Sequence, residues 1–190
     1  MTKLFTQALL MLLLFSALTG IIYPLAVTGA AHLCCARQAE GSILMRAQQA
    51  VGSALIGQPF DQPQYFWGRP SATTPQPYNG LASGGSNLGP TNPAQIDAVT
   101  MRIAALRQAD PDNRSDVPVD LVTASGSGLD PQISLAAAQY QLARVARVRH
   151  LPAARVQSLI DAHSEGRQWG VFGEPRVNVL QLNLALDALR

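Results

Sequence analysis

Lysine is almost missing from this chain of 190 residues: Lys3 is the only one, and arginine supplies the rest of its 14 basic residues. A Walker A phosphate loop, GxxxxGK[ST], needs a lysine, so that route to nucleotide binding is closed beyond residue 3. Cysteine is nearly as scarce. Cys34 and Cys35 are adjacent and no other follows, so no disulfide staples the C-terminal part. The three histidines, His32, His150 and His163, lack metal-ligand spacing. Aromatics make up only 6% of the chain and no basic run occurs, which argues against a nucleic-acid surface. With 12 acidic residues and a net charge of +2, basic and acidic residues nearly cancel in the part from Arg37 onward.

Charge is also absent from one long stretch. After Lys3, 33 residues pass without Asp, Glu, Lys or Arg. The run Leu4–Val27 is long enough to cross a bilayer as one helix, which takes roughly 17–25 apolar residues. A cleaved signal peptide has a shorter apolar core, and here hydrophobicity resumes at Ile21 after the brief dip at Thr19 and Gly20. An uncleaved anchor is therefore the better reading. Ala31-His32-Leu33 before Cys34 is a poor lipidation context. Ser16 and Gly20, and likewise Ala26 and Ala30, have the spacing that allows close helix approach. Pro24 is expected to kink the helix or mark its exit. Lys3 and the amino terminus favour an inside N-terminus, which puts the remainder outside the cytoplasmic membrane. The expected organisation is residues 1–36 as anchor and juxtamembrane segment, with the helix over about 4–27, and residues 37–190 as one extracytoplasmic domain.

That domain reads as a small α/β or α+β unit. Short strands are expected over 43–60, with Val51–Gly57 the best candidate. Gln58–Asn92 is rich in Pro, Gly, Asn and Ser but carries Tyr65, Phe66, Trp67 and Tyr78, so it reads as an ordered functional loop. Asn92-Pro93 opens a helix with Ile96, Val99, Ile103 and Leu106 on one face, ending at Asp110-Pro111. Val117–Val122 suggests a strand and Thr123–Gly128 a turn. A helix over Pro131–Arg149 would take Asp130 as cap and Leu135, Ala138, Leu142 and Val145 as its inner face, and another is expected from Pro152 to about His163. The tail Val177–Leu189 alternates like a strand, yet its composition favours a helix.

Catalytic patterns are weak. The glycine loops Ala82–Pro93 and Thr123–Pro131 precede helices, but neither is a Walker A or GxGxxG loop, and turns explain their glycines. Ser125 and Ser127 lack the GxSxG context, and nothing in sequence brings Asp130 and His163 to them. Asp110, Asp112, Asp116 and Asp120 read as a solvated loop, not a calcium site. Arg144, Arg147 and Arg149 read as a solvated basic face, with an acidic partner as the alternative. Arg69, beside Trp67 and Pro70, suits stacking or bidentate pairing, in docking, loop bracing or ligand binding.

Six blocks carry a resemblance. They are LTGIIYPLAVTG (Leu18–Gly29), VGSALIGQPF (Val51–Phe60), YFWGRPSA (Tyr65–Ala72), YNGLASGGSNLGPTNP (Tyr78–Pro93), VPVDLVTASGSGLDPQIS (Val117–Ser134) and EGRQWGVFGEPRVNVLQLNLALD (Glu165–Asp187). Together they resemble, nearly end to end, the C subunits of Kdp-type potassium-transporting P-type ATPases. The resemblance implies a non-catalytic inner-membrane subunit with partners in a channel-like A subunit, an ATP-hydrolysing B subunit and a small F subunit, besides membrane lipid. Potassium would be the transported ion, and no cofactor is assigned to this chain. The P-type phosphorylation sequence DKTGT is absent here. The resemblance also implies a role in raising the B subunit's ATP affinity, with Ser83–Asn87 compared to a transporter signature. An outer domain cannot touch cytoplasmic ATP, so linkage is the physical route; direct ATP binding or an unrelated anchored enzyme are the alternatives. Two interfaces are expected: Leu4–Val27 against the A subunit through Ser16 and Gly20, and Tyr65–Asn92 docking on a partner or lining the ion's approach.

Overall fold

The computed structural model describes residues 1–189, which fall into two compact units divided between Ile43 and Leu44. The first is one apolar helical stretch over Thr2–Ala39, 38 residues with no buried position in its most apolar window. A break in helical geometry at Cys35 (φ −145°, ψ 48°) divides it, and the part before the break, Thr2–Cys34, is about 50 Å long at ~1.5 Å per residue, against roughly 30 Å of bilayer hydrocarbon. Helix α1 (Thr2–Ala17) passes through a π-helical turn (Leu18–Ile22) into α2 (Tyr23–Ala39). Pro24 explains the turn. It has no N–H to give the carbonyl four residues back, and the Tyr23 N–H bonds Leu18 O five residues back instead. Pro24 is thus absorbed inside the helix and does not mark its exit. The stretch ends in a Schellman motif: Ser42 N–H bonds Arg37 O and Gly41 N–H bonds Gln38 O, with Gly41 at φ 79°.

The second unit begins with a hairpin of β1 (Ile43–Arg46) and β2 (Gln49–Ser53). Strand pairing therefore ends earlier than the expected Val51–Gly57, because the chain turns at Ser53, whose carbonyl accepts from Ile56 N–H. From Gln58 to Asn92 the chain has no helix or strand, and Phe66 within it is fully buried. Helix α3 (Pro93–Ala109) starts where Asn92 caps it, the side chain accepting from Ala94 N–H at 2.9 Å. Leu106 is buried and Val99 and Ile103 pack against the core, while Ile96 stays exposed.

Val117–Val122 is not a strand. Pro118 leads into a single 3-10 turn (Val119–Leu121), with Leu121 N–H bonding Pro118 O. Consecutive Leu121 and Val122 are both buried, which an alternating strand would not allow.

The core sheet is antiparallel, with β5 (Arg176–Asn178) between β3 (Gln132–Ser134) and β4 (Ser164–Glu165). Ile133 pairs with Val177, and both are buried. β3 and β5 each run straight into a helix. Ser134 Oγ accepts from Ala137 N–H to cap α4 (Leu135–Val148), and Asn178 Oδ1 accepts from Gln181 N–H to cap α6 (Val179–Asp187). The helix expected from Pro131 thus starts four residues later, because β3 takes Gln132–Ser134 and Asp130 is drawn to Arg69. The tail is helical as its composition suggests, after three residues spent on β5. His150 ends α4 in the left-handed region (φ 54°), the place glycine usually takes, and Leu151 N–H returns to Ala146 O. Pro152 then opens α5 (Ala153–Ala162). Val145, Val156, Ile160, Leu182 and Leu186 from α4, α5 and α6 close the core.

The glycine loops meet each other. Gly84 N–H donates to Ser127 O at 2.9 Å, and a Cβ on Gly85 would lie 3.0 Å from Gly126 O. A Cβ on Gly57 would come within 2.3 Å of the Tyr78 ring. One on Gly128, at φ 68°, would sit 2.5 Å from Thr73 Cγ2, whereas Gly84 and Gly89 have open space. Urea unfolding of the full chain in detergent should therefore separate these glycines. Gly57→Ala and Gly128→Ala should each lose about 1–3 kcal/mol by overpacking, Gly128 the more because its φ adds strain. Gly84→Ala and Gly89→Ala should stay within about 0.5 kcal/mol of the parent.

Candidate functional site

The polar machinery of the domain converges on one loop, Pro63–Arg69. Asn183 on α6 and Gln141 on α4 are each 1% exposed. Asn183 Oδ1 accepts from Phe66 N–H and its Nδ2 donates to Phe66 O, both at 2.9 Å. Gln141 treats Trp67 the same way: its Oε1 accepts from the N–H at 2.7 Å and its Nε2 donates to the carbonyl at 3.1 Å. Two side-chain amides thus do what neighbouring strands would do.

Arginines complete the clamp. Arg144, only 2% exposed, lies over the Trp67 ring at 4.8 Å, donates to Gln141 Oε1 at 2.7 Å and also to Pro63 O. Burial lowers its pKa to about 10, while the charge of Asp110 acts in the opposite direction. Arg149 lies over Tyr65 at 4.8 Å, donates to Gln64 O at 2.9 Å and pairs with Asp187 at 2.6 Å. Asp187 also accepts from Tyr65 Oη and Arg46. Burial alone would raise its pKa, but the Arg149 bond and charge, with Tyr65 and Arg46, hold it below the ordinary value.

The expected solvated basic face is therefore corrected: Arg144 and Arg149 are turned inward onto the loop, and only Arg147 is half-exposed. The expected solvated acidic loop is corrected in part. Asp110 is buried against Arg147 at 2.6 Å, and Asp120 accepts from Ser134 N–H at 2.7 Å.

Arg69 is a brace. It pairs with Asp130 at 3.1 Å, its carbonyl accepts the Tyr78 hydroxyl, and its Nε is buried without a partner. Burial, then the charge of Asp130, pushes the Tyr78 pKa up to about 12, with Arg69 opposing. Next to this pair lies an open cleft of about 470 Å³, lined among others by Asp120, Ser134, Glu174 and Arg176.

No triad forms around the candidate serines. Ser127 Oγ accepts from Leu129 N–H, Asp130 faces Arg69 and Gln132 N–H, and His163 caps α5 through Leu159 O. Among the described residues no group of three His, Cys, Asp or Glu is placed to hold a metal. Sequence reading missed Gln141, Asn183 and Asp187. For Gln141 and Asn183 a carboxamide inside an otherwise apolar helical pattern is the only signal; Asp187, an aspartate at the end of α6, carries none.

These features define a class: a chain with one apolar helix of membrane-spanning length and a small mixed helix/strand domain built round a clamped aromatic loop. Comparison then fixes the family. Residues 5–188 match the family described as K+-transporting ATPase, c chain, and the chain belongs to it. A Potassium-transporting ATPase KdpC subunit of Dechloromonas aromatica is 58% identical over 189 residues, spanning 100% of this chain and 99% of the relative. That of Variovorax paradoxus is 62% identical over 188 residues, covering 99% and 97%, and that of Methylococcus capsulatus 61% over 186, covering 98% of each. As a member of this family the chain is a non-catalytic accessory subunit.

Two outcomes follow from the clamp. Asn183→Leu leaves both Phe66 backbone groups buried and unanswered, so urea unfolding should show a loss of about 2–4 kcal/mol, with faster proteolysis within Gln58–Asn92. Alkaline titration should show one tyrosine ionising near pH 12 that is missing from Tyr78→Phe. A raised folded pKa means Tyr78 stabilises the fold fully below pH 10, and that contribution is lost between pH 10 and about 12. Arg144 acts in the opposite sense over the same range, so the difference between parent and Tyr78→Phe is the quantity to measure.

Proposed function

We propose that this chain is a single-pass inner-membrane subunit of a potassium-uptake ATPase, anchored by residues 1–36 and carrying residues 37–190 outside the cytoplasm. Full-length family membership is the observation that carries the reading. The uncharged stretch after Lys3 supplies the anchor, and Lys3 with the amino terminus favours an inside N-terminus. Its partners are a channel-like A subunit, a P-type B subunit that hydrolyses ATP, and a small F subunit.

Its effect on the pump is coupling by linkage. A rigid outer domain and an anchor helix that prefer one state of the A–B pair raise ATP affinity in that state without touching nucleotide. The glycine loops support this over direct ATP binding, because Gly84 N–H already serves Ser127 O and Gly85 packs on Gly126. Tyr65–Trp67 is likewise consumed inside the domain, which leaves the exposed stretch near Leu81 as the part of that loop free to meet a partner.

The test combines assembly with kinetics. Purified in mild detergent from potassium-starved cells, the chain should bring down both a channel-like subunit and a P-type ATPase. Gly20→Leu, at a position where an added Cβ meets nothing within 4 Å in the isolated chain, should lower that recovery several-fold and raise the KM for ATP of what remains. An azido-ATP probe should label the ATPase subunit alone; labelling of this chain would replace linkage with direct binding.

A further inference from the structure

The chain's two thiols stand side by side at the place where its long helix breaks. Cys34 and Cys35 are the only cysteines, and both are exposed. Inside α2 only Cys35 leaves helical angles, with φ −145° and ψ 48°. The usual causes of such a break are missing, since no proline or glycine lies between Ala30 and Arg37.

The break changes what the pair can do. On a regular helix, adjacent side chains point roughly 100° apart round the axis, which keeps neighbouring sulfurs from bonding. Moving the φ of Cys35 from about −63° to −145° swings its Cβ by roughly 80° about the N–Cα bond. With Cys34 still helical, that swing carries the Cys35 Cβ to the side on which the Cys34 Cβ lies. Both then point the same way from one peptide group. A disulfide needs Cβ atoms about 3.5–4.5 Å apart, and this arrangement is the one that supplies it between neighbours. The pair is also in reach of water-borne oxidants. Cys34 lies seven residues past Val27, about 10 Å of helix beyond the expected span.

We propose that Cys34 and Cys35 are an oxidative modification site, closing a disulfide between adjacent residues. The oxidant is a disulfide-bearing protein or small disulfide of the extracytoplasmic compartment, where such bonds form and persist; this chemistry therefore rests on the orientation proposed above. One thiolate attacks an oxidant sulfur to give a mixed disulfide, and the second then displaces the oxidant from it. One Sγ–Sγ bond forms, the oxidant's S–S bond breaks, and two electrons and two protons leave with the resulting dithiol. Consecutive Cα atoms are about 3.8 Å apart, below the roughly 4.4–6.8 Å usual for disulfides, so the ring is strained and easily reduced. It is a reversible link rather than a staple. Closed, it fixes α2 in its broken form.

The test counts thiols in the full chain. Free thiols are blocked with N-ethylmaleimide as aerobically grown cells are harvested. The chain is then denatured and treated with maleimide-polyethylene glycol, with or without prior dithiothreitol. Two adducts are expected after reductant and none without it, from a chain that runs as a monomer on a non-reducing gel. Cys34→Ser and Cys35→Ser should each abolish the reductant-dependent adducts of the monomer. Thiols already blocked at harvest, or a reductant-sensitive dimer or mixed adduct in place of the doubly protected monomer, would overturn the adjacent disulfide. A membrane-impermeant maleimide on reduced, intact spheroplasts tests the orientation separately. Labelling there with free thiols at harvest removes the disulfide alone; labelling only after lysis removes the outside placement, and the disulfide with it.

Discussion

The peptide groups of Phe66 are buried and those of Trp67 partly so, and the domain depends on Asn183 and Gln141 answering them. Loops normally run over the surface because a buried one strands its backbone polar groups. Here each amide matches one residue's donor and acceptor together, so Phe66 can sit at 0% exposure without a neighbouring strand. Once that segment is pinned, its aromatic rings become platforms. Arg144 lies on Trp67, Arg149 on Tyr65, and Asp187 gathers Arg149, Tyr65 and Arg46. The order of dependence runs from buried amide to pinned loop to cation network.

That network accounts for the use of arginine. Arg144 reaches Pro63 O and Gln141 Oε1 with different nitrogens of one planar group while stacking on an indole. A lysine ammonium has neither the fork nor the plane. The basic residues of this domain act as flat, many-handed struts, which is why three arginines close together in sequence do not make a basic surface.

Local signals in the sequence were legible where the chain answers to itself. Asn92-Pro93 opens a helix as its chemistry requires, the tail becomes helical, and aromatics in a proline- and glycine-rich stretch mark an ordered loop. Signals failed where a distant partner decides. Asp130 reads as a helix cap until Arg69 takes it, and β3 is three residues long, too short to show a period beside the helix it feeds. Pro118 to Val122 has strand composition but turns on its own hydrogen bonds. The clamp was hidden because Gln141 and Asn183 lie 74 and 117 positions from the residues they hold.

The π-helical turn at Leu18–Ile22 has a geometric effect on the anchor. Each residue of an α-helix advances about 100° round the axis, so Ser16 and Ala30 on an unbroken helix would face within about 40° of each other. One extra residue taken up in a wide turn rotates everything beyond it by about that same 100°. The lower small-residue pair, Ser16 and Gly20, and the upper pair, Ala26 and Ala30, then look toward nearly opposite sides. A helix broken in this way works as a spacer with two differently aimed flanks, suited to lie between two neighbours rather than along one.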